Sequence, residues 1–132
     1  MLHTEEVFAM QLQESGEMYL ETILMLTQRG TPFRSIDICE ELGYSKPSVS
    51  RAMGILRQGE LITMDASGYI TLTAAGREIA EKIYDRHKLL TAFFLRIGVD
   101  QETATADACR MEHVISDRSF EALRTYMQTV KQ

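Results

Sequence analysis

The run Cys109-Arg110-Met111-Glu112-His113 sets a thiol, a carboxylate and an imidazole at positions i, i+3 and i+4. On a helix these positions share one side, so three metal-binding heads converge. That mixture suits a divalent transition ion, whereas calcium and magnesium prefer oxygen alone. The same run also fits a buried small thiol beside an exposed carboxylate and a surface imidazole. Three residues do not close a coordination shell, so a metal reading needs ligands from elsewhere in the chain.

Further candidates are His87, Met18 and Glu21. His87 falls on an apolar helical stripe, one turn after Ile83 and one before Leu90, and alone reads as a core histidine. Met18 and Glu21 are three apart, hence neighbours on one helix face. Taken singly, Met18 is core filler and Glu21 a solvent-facing carboxylate.

The elements that must position these residues follow from hydrophobic period and punctuation. Phe8, Leu12, Ser15, Tyr19, Thr22/Ile23 and Leu26 recur every three or four residues, which predicts a helix from about Glu5 to Arg29, closed by Gly30 and Pro32. Ser35 is expected to cap a short helix over 36–42, with Ile36, Cys39 and Leu42 on one face and Gly43 taking the left-handed turn. Ser45-Lys46-Pro47 reads as a cap with an early-turn proline, opening a third helix with the stripe Val49, Ala52, Met53 and Leu56 up to Gly59. Two β-prone runs, 61–64 and 69–72, flank the four-residue loop Asp65-Ala66-Ser67-Gly68. Thr73 caps a long helix from Ala74 to about Ile97, with the stripe Ile79, Ile83, Leu90, Phe94 and Ile97. Gly98 stops it, and helices over 101–115 and from Ser116 to about Val130 follow. The order helix, turn, helix, hairpin is that of a winged helix-turn-helix, so the expected fold is mostly α with a small β-hairpin. A DNA-binding domain with an N-terminal extension is expected over 1–73 and a helical metal-binding and dimerisation domain over 74–132.

With 132 residues, 45% hydrophobic and 25% charged, the chain has the composition of an ordinary soluble protein and holds about one and a half domains. No apolar run approaches the roughly 20 residues of a membrane span. The start lacks a signal-peptide pattern, so the expectation is a cytoplasmic protein without a membrane partner. Cys39 and Cys109 are far apart and form no CxxC, which argues against a disulfide framework or zinc knuckle. The net charge of −5 argues weakly against nucleic acid, yet 45–58 carries Lys46, Arg51 and Arg57 and no acidic residue. Ser45, Lys46, Ser48, Ser50 and Arg51 crowd the first two turns of that helix, the part of a recognition helix that enters the major groove. Arg51 is the candidate for a base edge; Ser45, Lys46 and Ser48 suit phosphates, and Pro47 suits a thymine methyl. Arg34 joins the candidate DNA contacts. A short helix with three positive charges is otherwise a solvated face, and the winged-helix order is what favours DNA.

Residues 16–23, 45–51, 72–76, 86–90 and 108–113 together resemble the diphtheria toxin repressor, or iron-dependent repressor, family, in order and at matching spacing from Glu14 to about Leu123. The resemblance implies a homodimeric, metal-activated repressor that binds palindromic double-stranded operator DNA and takes no small organic substrate. The compact form without an SH3-like domain is expected. It also implies ligands: the iron-responsive branch builds its main site from positions matched by Met18, Cys109, Glu112 and His113, and His87 matches the histidine of the neighbouring site. The manganese-responsive branch has carboxylates at the positions of Met18 and Cys109, while its additional glutamate matches Glu21. Thr91 and Thr105 stand where the iron branch usually has a carboxylate and a histidine, a departure at the second metal site. Sulfur donors tilt the expected ion toward Fe(II), with Mn(II) second. An ion held by residues of both domains would restrict their relative motion and so favour one spacing of the recognition helices on half-sites about one helical turn apart. Leu89, Phe93, Phe94, Val114 and Leu123 are surplus apolar residues suited to a dimer face.

Two other classes compete. A metalloenzyme would use Glu and His beside an open coordination position to activate water, but no HExxH or second acid/base pair is present. A winged-helix regulator switched by oxidation of Cys109 or by an organic ligand requires no metal, though nothing in the sequence pairs with Cys109.

Overall fold

The computed structural model describes residues 4–130, with side chains from Ser15 onward. Its elements are α1 (Thr4–Gln28), α2 (Ser35–Leu42), α3 (Lys46–Gln58), β1 (Ile62–Met64), β2 (Ile70–Leu72), α4 (Ala74–Arg96), α5 (Gln101–Met111) and α6 (Asp117–Val130). The expected Phe8 and Leu12 stripe positions lie outside the described side chains. The chain divides into two compact units, Met1–Glu81 and Lys82–Gln132, with the division inside α4.

In the first unit α1 packs on β2 and α3, and α3 packs on α2 and β1. Ile23, Ile38, Val49, Met53 and Ile62 are among its most deeply buried apolar side chains. The hairpin is antiparallel, Ile62 opposite Leu72 and Met64 opposite Ile70. Its loop is organised by Asp65, whose Oδ1 accepts the amides of Ser67 and Tyr69, each at 2.9 Å. Ile70 donates its amide to the Phe33 carbonyl at 3.0 Å, tying the wing to the segment before α2. Thr73 caps α4 as expected, its hydroxyl oxygen accepting the Gly76 amide at 3.1 Å while donating to the Glu60 carbonyl at 2.8 Å. Glycine is required at 76 by close approach, since a Cβ there would lie 2.0 Å from the Leu61 carbonyl oxygen.

Four local expectations are corrected. Arg34, not Ser35, is the N-cap of α2, because the Asp37 carboxylate accepts the Arg34 backbone amide at 2.8 Å and draws the first turn one residue back. Ile36 is 40% exposed, and the buried face of α2 is Ile38 and Cys39. The fifth helix ends at Met111 rather than running to Ile115, and Ile97 lies beyond α4 and is exposed.

In the second unit Ile83, Leu90, Ala104, Ala108, Phe120 and Met127 are buried. The Phe93 ring meets Tyr126 edge-on at 6.4 Å, and Arg96 donates to the Val130 carbonyl at 2.6 Å, so α4 and α6 lie side by side. Asp100 caps α5 by accepting the Thr103 amide at 2.9 Å. Ser116 opens α6, its Oγ accepting the Ser119 amide at 3.1 Å.

Candidate functional site

Ile83 and Leu90 anchor the buried side of α4, and His87 between them is half-buried. Its Nδ1 lies 2.8 Å from Glu112 Oε2. Glu112 is the C-cap of α5 and keeps right-handed helical dihedrals, so its side chain continues the helix surface although the helix proper has ended. The carboxylate is fully buried, and its second oxygen, Oε1, lies 3.3 Å from His113 Nε2 without a hydrogen bond among the described residues. His87, Glu112 and His113 are therefore one cluster, assembled from α4 and the turn after α5. Cys109 is exposed on α5, and neither cysteine forms a disulfide.

A carboxylate removed from water is costly unless a charge or several donors compensate it. The partners shown here are two imidazoles, whose nitrogens are themselves ligand atoms for a divalent ion. The donor set of one carboxylate and two histidines fits Fe(II) or Mn(II), and the buried oxygen without a hydrogen bond is the position such an ion would compensate.

In the first unit Met18 and Glu21 lie on α1 as expected. The Tyr44 hydroxyl donates to the Met18 sulfur at 3.6 Å, and the Tyr44 ring meets Tyr19 edge-on at 6.2 Å. Burial, followed by the neighbouring Tyr44 and Cys39, raises the Tyr19 phenol above its ordinary value.

The candidate DNA contacts lie at the start of α3 and just before α2. Ser45 is the N-cap of α3: its side chain accepts the Ser48 amide at 3.4 Å and its hydroxyl donates to Ser48 Oγ at 2.9 Å. Lys46, Pro47, Ser48, Ser50 and Arg51 are all exposed, while Val49, Met53 and Leu56 turn inward. The Arg34 guanidinium is 4.6 Å from the Tyr69 ring centre and donates to the Tyr69 hydroxyl at 3.2 Å, which joins the start of α2 to the wing. Tyr69 and Tyr44 were not singled out from sequence, because neither lies on a periodic face. Arg86 has no role in the sequence analysis beyond lying in the matched run 86–90. The signal available was that Ile83, Arg86 and Leu90 share one stripe, so a charge stood on a face that otherwise reads as buried.

Both parts of the chain match known protein families. Residues 11–69 match the iron dependent repressor N-terminal DNA binding domain, and residues 73–132 match the iron dependent repressor metal binding and dimerisation domain. An uncharacterised HTH-type transcriptional regulator of Methanocaldococcus jannaschii is 31% identical over 91% of this chain and 98% of its own length. The transcriptional regulator MntR of Escherichia coli is 34% identical over 83% of this chain and 71% of its own. The diphtheria toxin repressor of Corynebacterium jeikeium is 35% identical over 80% of this chain and 45% of its own. The solved structure of the manganese regulator SloR superposes with a TM-score of 0.77 at 26% identity, covering 86% of this chain, which spans about half (53%) of SloR. No described helix is long and apolar enough to cross a membrane. With both halves of the chain matched in order, this protein belongs to the iron-dependent repressor family of metal-dependent, DNA-binding transcriptional regulators.

Proposed function

We propose that the chain is a homodimeric, cytoplasmic repressor of metal homeostasis genes whose corepressor is Fe(II), with Mn(II) as second choice, and that it has no catalytic role. The observation that carries this reading is the fully buried Glu112 carboxylate between His87 and His113. His87, Glu112, His113 and Cys109 supply donors from the second unit. Met18 and Glu21 join the set on the motif match, and the two sulfur atoms favour iron. A bound divalent ion supplies the positive charge that balances the buried carboxylate. His87 Nδ1 and His113 Nε2 flank that carboxylate at 2.8 and 3.3 Å, so the three side chains offer ligand atoms on one side of the second unit.

The output is α3. Arg51 reads a base edge, Ser45, Lys46, Ser48 and Ser50 hold phosphates together with the helix N-terminal amides, Pro47 meets a thymine methyl, and Arg34 reaches the backbone beside them. Operator binding by wild type and Glu112→Ala, each with and without Fe(II) or Mn(II), tests the reading. Metal should be required for tight binding by wild type and have no effect on the variant; equal affinity in every condition would sink it.

The exposure of Cys109 favours one second reading, a switch by thiol oxidation. It predicts that chelation leaves operator affinity unchanged while peroxide abolishes it.

A further inference from the structure

Arg86 is a buried cation, only 7% exposed, and it touches the site at a point that no motif assigns. One guanidinium nitrogen donates to the Glu112 carbonyl at 3.2 Å and to the Ile115 carbonyl at 2.7 Å. The other donates to the Asp117 carboxylate, and the guanidinium carbon lies 5.3 Å from the Phe120 ring centre. The carbonyls at the end of α5 have no intrahelical partner, and a fork of rigid donors satisfies two acceptors of one turn at once. Arg86 thus ties the 112–117 turn to α4.

The consequence falls on Glu112. Two consecutive α4 residues grip it from different ends: Arg86 holds the backbone carbonyl and His87 holds the carboxylate at 2.8 Å. With its main chain fixed, the Glu112 side chain has few ways to turn from His87 and His113. We propose that Arg86 is the positioning residue of the metal centre, presetting the Glu112 carboxylate before an ion arrives and so setting metal affinity through backbone carbonyls instead of by ligation. The inference rests on the reading of His87, Glu112 and His113 as ligands.

Lys82 shares Asp117 at 3.2 Å, so the Asp117 end of the arrangement is a separate handle. Three variants use it: Arg86→Lys keeps the charge but loses the fork, Arg86→Gln keeps one amide donor without a buried charge, and Asp117→Asn weakens the far end while leaving both carbonyl bonds. Titration of metal-free protein with Mn(II) and Co(II) should show both Arg86 variants about 10- to 100-fold weaker than wild type, the usual range for a residue that supports a ligand. Asp117→Asn, compared at matched loss of thermal stability, should stay within about threefold of wild type, since it removes no bond to Glu112. In the metal-free state the imidazole nitrogen shifts of His87 should report loss of the Nδ1 contact in both Arg86 variants and its retention in Asp117→Asn.

Wild-type metal affinity and an unchanged His87 signature in the Arg86 variants would overturn the proposal. So would an Asp117→Asn loss of affinity equal to theirs, which is what a purely structural role requires. If wild type itself takes up no metal, the ligand reading falls, and the metal-free His87 signature still decides whether Arg86 positions Glu112.

Discussion

His87 Nδ1 lies 2.8 Å from Glu112 Oε2, joining α4 to the turn that closes α5. An imidazole nitrogen and a carboxylate oxygen this close can serve one divalent ion. A histidine that reads as core filler in isolation thereby becomes one wall of the proposed metal site. The pairing is made across 25 residues of sequence.

Glu112→Gln keeps the volume of a fully buried side chain and removes its charge. Affinity for Mn(II) or Fe(II) should fall by about 100-fold, equivalent to ~3 kcal/mol, on the scale of a lost charged interaction. Metal-free thermal stability should hold or rise, because a buried charge no longer has to be compensated. Calorimetric titration and thermal unfolding measure the two arms. A stability loss with unchanged affinity would show that Glu112 is structural only.

Arg51 and Lys46 are both exposed on α3 but suit different partners. Arg51→Ala should cost about 1–3 kcal/mol of operator affinity and relax preference at one base position. Lys46→Ala should weaken operator and unrelated DNA alike and lower the magnitude of the log affinity against log salt slope by about 1. Both follow from salt titrations with a matched and a substituted duplex. Equal effects of the two substitutions on specificity would contradict the assignment of base reader and phosphate holder.

The winged-helix order was legible because its signals are local: Ser45 before Pro47, the Asp65–Gly68 loop between β-prone runs, and Thr73 before a long stripe all act within a few residues. Ser35 is the cap expected from residue type, but the Asp37 carboxylate takes the Arg34 amide and starts α2 one residue earlier. Glu112 and His113 were legible as chemistry but not as geometry. The helix that was expected to carry them ends at Met111, and their meeting with His87 depends on a turn that Arg86 holds from another helix. Long-range polar contacts of this kind leave no periodic trace, so the partners of Arg86 and Tyr69 are not legible in the sequence, while the buried stripe of Val49, Met53 and Leu56 is.

Gly76→Ala should be among the most disruptive single-methyl changes in the first unit. A Cβ at 76 would meet the Leu61 carbonyl oxygen at 2.0 Å and the Leu61 carbonyl carbon at 2.9 Å, both backbone atoms that cannot rotate away. The start of α4 would have to move off the segment that leads into β1, a backbone shift of the overpacking kind costing about 1–3 kcal/mol. Denaturant unfolding checks the magnitude. Gly54→Ala is the control, because a Cβ there meets nothing within 4 Å; an equal loss in both would show that the close approach is not the cause.

Acidification should destabilise the metal-free protein through its capping and paired carboxylates. The Asp100 carboxyl is held below the ordinary aspartate value of 3.8, first by the Thr103 backbone amide and then by the Thr103 side chain. Glu41 is lowered chiefly by its hydrogen bond with Arg29, and Asp117 chiefly by its hydrogen bond with Lys82. For each, the folded value lies below the unfolded one, so the folded state binds fewer protons while the group titrates. The stability they contribute is fully present above the unfolded values near pH 4 and is lost as pH falls through the folded values. Asparagine also caps helices but does not titrate. Asp100→Asn should therefore retain most of the neutral-pH stability and show a shallower decline below about pH 4. Thermal unfolding followed by circular dichroism from neutral to acid pH, in the presence of a chelator, gives the two curves. Parallel curves across the acid limb would remove Asp100 from the groups that set the acid response.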